Sequence, residues 1–218
     1  MMSLPKVVRG AILTGDIVNS TQLLLEEGTK LVTVLGLFLA HNPHEFYRGD
    51  SFQAYIKKPD EALRLALACR CLAIGITEAR REDTASIADV RISIGIGEVP
   101  TSLKSLGVAR GEAFLLSGRQ FDSLRETGRR LAIRCNDNEP IANIGFEVMT
   151  DYLDSICRKM TPTQANLIVE LLRGTSQQQY ANTFQKSKST VSQLANAGRW
   201  PEIEKVLKQY EQLINLIQ

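Results

Sequence analysis

Two carboxylates are the residues of this chain best placed to do chemistry. Asp16 follows the apolar run Ala11-Ile12-Leu13 in "AILTGDIVNSTQ", and Asp50 sits in "EFYRGDSFQAYIK". Each closes a predicted strand, and each can sit at the same end of one sheet. Two carboxylates so placed can hold a divalent cation, and the cation can hold a nucleotide's phosphates. The same types also make turns: an aspartate after a strand accepts backbone N–H groups, and Gly49-Asp50 is a hairpin signal. Three readings stay open: a catalytic metal pair, a metal-nucleotide sensor without turnover, and turn residues.

The elements that must position these acids follow from periodicity. "VVRGAILTG" reads as a first strand buried on both faces. A helical stretch from about Ser20 to Ala40 repeats Leu23, Leu24, Leu31, Leu35 and Phe38 near helical spacing. "PDEALRLALACRCLAIGITEARR" opens on Pro59 and two acids, as helices do, and its end "EARRED" reads as solvated charge. In "ADVRISIGIGEV" Val90, Ile92, Ile94 and Ile96 alternate with Arg91, Ser93, Gly95 and Gly97, so the glycine face must admit a helix or a ligand at close range. "GEAFLLSGRQFDSLRETG" predicts a helix ending near Gly128, "RRLAIRC" a further strand, and "NDNEPIANIG" a loop or hairpin. From about Phe146 the pattern is all-helical. The expected division is 1–145, an α+β sandwich with a mostly antiparallel sheet, and 146–218, a small all-α domain.

Bulk properties set outer limits. The chain has 218 residues, 44% hydrophobic and 23% charged, with a net charge of +2, so no global field argues for nucleic acid. Cys69, Cys71, Cys135 and Cys157 form no C-x-x-C pair, which speaks against zinc and for buried, reduced thiols. No apolar run approaches the ~20 residues of a membrane span, and "MMSLPKVVRG" lacks the apolar region of a signal peptide. The expected setting is cytoplasmic.

The C-terminal stretch "MTPTQANLIVELLRGTSQQQYANTFQKSKSTVSQLANAGRW" carries a second chemistry. Thr161 with Pro162, Ser176, and Ser187 or Ser189 are three helix starts. Ile168, Leu171, Leu172, Tyr180, Ala181, Val191 and Leu194 face inward. The outer face of the last helix offers Lys188, Ser189, Thr190, Ser192, Gln193 and Asn196, with Lys186 and Arg199 at its ends. These types bond base edges and phosphate oxygens. Between Leu171 and Trp200 there is no acid, which suits a DNA backbone. The last helix, "PEIEKVLKQYEQLINLIQ", repeats apolar residues near every 3.5 positions, to pack on the module or to pair with its copy.

Residues 161–200 are similar to the helix-turn-helix of bacterial regulators of the LuxR and sigma-factor type. Residues 7–135 resemble the class III nucleotidyl cyclases, and more closely the bacterial SatD-like proteins, on "TGDIVNST", "RGDSFQAY", "VRISIGIGE" and "GEAFLLSGRQFDSL" in that order. That resemblance implies metal binding by Asp16, Asp50 and the carbonyl of Ile17, with Mg2+ or Mn2+ carrying a nucleotide. It gives Arg119 the role of stabilising the transition-state phosphate. Arg119 also reads as a surface arginine paired with Glu112 or Asp122. Phe46, Val108 and Leu115 stand where adenylate cyclases keep two base-reading residues and an asparagine, so a purine edge has no partner there.

The expectation is a homodimeric regulator that binds double-stranded DNA through its second domain, with the first domain dimerising and sensing a nucleotide or metal. The alternative is a metal-dependent nucleotidyl cyclase or related phosphotransfer enzyme with a helical regulatory module.

Overall fold

The computed structural model describes residues 7–76, 88–101 and 105–217. The "EARRED" charge run and the first six residues lie outside them. Five strands, β1 (Val7–Val18), β2 (His44–Tyr47), β3 (Ser51–Ile56), β4 (Asp89–Pro100) and β5 (Leu131–Arg134), form one sheet in the order β2-β3-β1-β4-β5. The β1–β3, β1–β4 and β2–β3 pairs are antiparallel, and β4–β5 is parallel. The chain is therefore mixed α+β with a mostly antiparallel sheet.

The two faces of β4 explain the layering. Val90, Ile92, Ile94 and Ile96 are fully buried and join the main core beneath α1 (Leu25–Leu39) and α2 (Ala62–Gly75). On the other face Ser93, Gly95 and Gly97 leave room for α3 (Glu112–Thr127), and the Ser93 hydroxyl donates to the Ser117 carbonyl at 2.7 Å. A Cβ on Gly95 would fall on the backbone of Ala113 and Ser117; one on Gly97 would meet the Glu112 side chain first. The close approach predicted for this strand is thus a helix. Ile12 of β1 completes that side with Val99, Ala113 and Phe114.

The helical stretch predicted from Ser20 is a 3-10 turn, Ser20–Gln22, followed by α1 from Leu25. The predicted loop "NDNEPIANIG" is a correction: α4 runs from Pro140 to Cys157, with Pro140 in its first turn. Proline there forfeits no hydrogen bond and presets φ, so it starts a helix where a loop was expected. This helix passes through the expected boundary at 145/146.

Beyond it stand α5 (Pro162–Leu172), α6 (Gln177–Thr183), α7 (Lys188–Ala197) and α8 (Trp200–Leu216). Thr161, Ser176 and Ser187 cap α5, α6 and α7, each accepting the N–H three residues on. Helix α5 packs on α2, and α8 packs on α4 and the Pro59 turn, where the buried Tyr210 hydroxyl donates to the Pro59 carbonyl at 2.7 Å. Ile203, Val206, Leu207 and Ile214 are buried with it, so the apolar face of α8 is spent inside its own chain. One continuous core joins sheet and C-terminal helices.

The turn between α6 and α7 carries Gln185 at φ +51. A left-handed conformation costs a non-glycine residue about 1–2 kcal/mol, part of which glycine returns as chain entropy. Gln185→Gly is therefore expected to raise stability by up to about 1 kcal/mol, read from the urea midpoint at unchanged slope.

Candidate functional site

Asp16 stands near the end of β1, paired with Ser51 on β3 and with Arg91 on β4. Asp50 closes the β2–β3 hairpin, and its carbonyl accepts the Ile17 N–H at 3.0 Å. The topology thus brings Asp16, Ile17 and Asp50 to the same end of the sheet. The two carboxylates, however, are held by different neighbours. Asp16 Oδ2 accepts from Arg125 of α3 at 3.3 Å and faces Arg91 at 3.7 Å. Asp50 accepts the Ser20 hydroxyl at 2.9 Å and the Ser51 hydroxyl at 3.3 Å. Asp50 and Ile17 line a groove of about 520 Å³ with Ser20, Leu23, Leu24 and Val32; Asp16 is not in its lining.

This arrangement does not fit a divalent cation as it stands. Two guanidinium groups already supply positive charge at Asp16. Among the described residues no group of three or more His, Cys, Asp or Glu side chains could hold a metal. The groove is also poorly suited to a polyphosphate: the first turn of α1 at its rim carries Glu26 and Glu27, where an anion-binding helix start would be free of acids.

Arg119 is exposed on α3 and makes no ion pair among the described residues. The cation of α3 that reaches Asp16 is Arg125, six residues and about 9 Å further along the helix. Arg91 and Arg125 carry no sequence signal of their own, because only the strand register and the seating of α3 bring them to Asp16. Phe46 packs in a tilted contact on Phe52 at 5.5 Å, as a core strand residue does, while Val108 and Leu115 are exposed. Beside Phe46, the Glu45 carboxylate ties β2 to the loop before α3. It accepts the Tyr47 hydroxyl at 2.6 Å, the Ser105 hydroxyl at 3.0 Å and the N–H groups of Leu106 and Gly107. These donors, Tyr47 foremost, lower its pKa to about 2.

The second candidate is the outer face of α7. Val191 and Ala195 are fully buried and pin the helix to α5 and α6. Gly198, at its end, packs so closely on Ile168 that a Cβ would lie 3.3 Å from that side chain. Lys186, Lys188, Ser189, Thr190, Ser192, Gln193, Asn196 and Arg199 are all exposed. The first turn of α7 has no acid, and Lys186 and Lys188 make no ion pair among the described residues. Arg199 is committed otherwise: it bonds Glu202 at 2.6 Å and donates to the Tyr152 hydroxyl at 3.1 Å. Arg173 is likewise engaged, by Glu170 at 2.6 Å and by the Phe38 ring.

A further cluster, which periodicity does not reveal, lies in the core. Arg70 of α2, with no exposed surface, binds Asp89 through two hydrogen bonds of 3.0 and 2.7 Å and lies 2.9 Å from Asp154 of α4. Arg130 reaches Asp89 at 2.9 Å, and Arg158 reaches Asp154 at 2.9 Å. Burial alone would raise the Asp89 carboxyl; the guanidinium of Arg70, then that of Arg130, outweigh it and hold the pKa below the ordinary value. All four cysteines are buried and unbridged. Burial pushes the thiol of Cys69 up to about 12 and that of Cys157 up to about 11. Among the described residues no helix is long and apolar enough to cross a membrane.

No protein-family model and no curated protein matches the chain. Among solved structures it is similar to a bacterial light-regulated adenylyl cyclase, at 18% identity and a TM-score of 0.44 over 59% of this chain and 77% of that one. It is similar to the adenylyl cyclase CyaB from P. aeruginosa at 14% identity, TM-score 0.40, over 54% and 74%. It is also similar to the active GGEEF domain of a diguanylate cyclase from Vibrio cholerae at 14% identity, TM-score 0.38, over 58% and 82%.

Proposed function

We propose that the chain is a DNA-binding regulator in which α6, the Gln185 turn and α7 act as a helix-turn-helix, carried on an α+β domain of nucleotidyl-cyclase-like architecture. The observation that carries this reading is the outer face of α7. The helix is ten residues long, about 15 Å, and acid-free; its outer face is exposed, with Lys188 at its first position and Lys186 in the turn before it. A helix of that size fits the major groove, its start favours phosphate, and Gln193 and Asn196 carry groups that read adenine. Lys186 and Lys188 supply the salt-dependent part of binding, and Ser189, Thr190 and Ser192 the hydroxyl contacts.

The test is a salt series of binding to genomic DNA fragments with wild type and a Thr190→Glu, Gln193→Glu variant. Glutamate at position 190 is compatible with the helix start, so the variant keeps its fold. Wild type should bind with an affinity that falls as salt rises, and the variant should lose at least tenfold. Failure of wild type to bind at low salt overturns the reading.

A second reading, a metal-dependent nucleotidyl cyclase or related phosphotransfer enzyme, is favoured by two observations: Asp16 and Asp50 share one end of the sheet, and Asp16 Oδ1 is buried without a hydrogen-bond partner. It requires a metal-nucleotide to displace Arg91 and Arg125 from Asp16. Turnover of a nucleoside triphosphate with Mn2+ or Mg2+, lost in Asp16→Asn, is the result that would carry it.

A further inference from the structure

We infer that two copies of this chain pair antiparallel along α4. The helix buries Phe146, Thr150, Leu153 and Cys157 inward, but Ile141, Ile144, Val148 and Tyr152 point outward and are 83%, 64%, 65% and 39% exposed. Their spacing places them within about 80° of the helix circumference, the narrow seam of a two-helix contact and narrower than a core-facing stripe. Single exposed apolar residues are ordinary; four in register along one helix mark an interface.

The stripe is complementary to itself. Antiparallel pairing about a two-fold axis sets Ile141 against Tyr152 of the second copy and Ile144 against Val148. Each pair thus occurs twice, as an isologous interface requires. The shoulder of the stripe carries Glu147 and Asp151, and Arg129 of the same chain binds both, which lessens repulsion where the two shoulders meet. The obvious competitor is excluded, because α8 has spent its apolar face on its own chain.

Two helices about 27 Å long bury less than the roughly 1,200 Å² of a standard interface. The pair is therefore weak alone and reversible with concentration. Tyr152, at one end of the stripe, accepts the hydrogen bond from Arg199 just beyond α7, so the seam adjoins the polar helix. This consequence, though not the pairing itself, rests on the DNA-binding reading: a dimer would present two α7 helices to the half-sites of a palindrome.

Sedimentation of the full chain across a concentration series, without DNA, tests the pairing. Wild type should move from monomer to dimer, and Ile144→Asp, Val148→Asp should stay monomeric with an unchanged far-UV spectrum. Register is read with a short bismaleimide. Val148→Cys, whose image lies about 5 Å away along the axis, should crosslink, whereas Ile141→Cys, about 16 Å from its image, should not. The four native thiols are buried and leave little background. A monomeric wild type, an aspartate variant that still dimerises, or equal crosslinking of both cysteine variants overturns the proposal. Because no DNA is present, a chain that dimerises through α4 yet binds no DNA refutes only the reading of α7.

Discussion

Arg70→Met is expected to lower the stability of the chain by about 3–5 kcal/mol, the usual result of leaving a buried carboxylate without its partner. Asp89 and Asp154 have almost no exposed surface, and Arg70 is the cation that touches both. Removing it leaves Asp89 with the half-open Arg130 and Asp154 with the exposed Arg158. The triple variant Arg70→Met, Asp89→Asn, Asp154→Asn should lose less than the single, because it buries no uncompensated charge. Urea unfolding of the variants separates the two results, and a triple variant weaker than the single would show that the ion pairs stabilise beyond their cost of burial.

The same cluster sets an acid limit. The folded pKa of Asp89 lies below the unfolded value of about 3.9. Its contribution is therefore complete above that pH and is lost as pH falls through the folded pKa. Wild type should lose stability steeply in that acid window, and Asp89→Asn should flatten the profile while lowering the plateau at neutral pH.

Gly95→Ala should cost about 3 kcal/mol, the upper end of the usual range for overpacking. The new methyl group meets backbone, the Ala113 carbonyl and the Ser117 N–H, which cannot turn aside as a side chain can. Helix α3 would have to lift from β4, breaking the Ser93–Ser117 bond and disturbing Arg125 at Asp16. Gly97→Ala is the control. There the methyl meets the Glu112 side chain from Cγ to the carboxylate, which can swing aside only by giving up its bonds from the Glu98 N–H and Asn136, so a smaller loss of about 1–2 kcal/mol is expected. Equal losses at both positions would show that chain entropy, rather than the seating of α3, governs this face.

What could be read in the sequence was whatever one element states by itself. The alternation in β4 names its faces because a strand has period two, and Thr161, Ser176 and Ser187 name helix starts because a cap bonds within three residues. Pro140 states a helix start as clearly, but asparagines and acids around it have the composition of a loop. The company of Asp16 was not legible: Arg91 arrives by strand register, and Arg125 by the seating of α3. Arg70 sits mid-helix in an apolar run, and its partners lie 19 and 84 residues away in sequence, as the two numbers 89 and 154 show. Charge pairs of such separation leave no periodic trace.

The cluster also bears on how such a chain can be inherited. Arg70 and Asp89 belong to the sheet half, and Asp154 to the helical half, while α4 crosses from one to the other. A recombination event that joined either half to a new companion would carry a buried ion into a setting without its counterion. Helix α4 is thus not exchangeable apart from the sheet, whereas α5–α8 hold no member of the cluster. The sheet and α4 are best transmitted together, and loss of any one of the three charges favours loss of the other two.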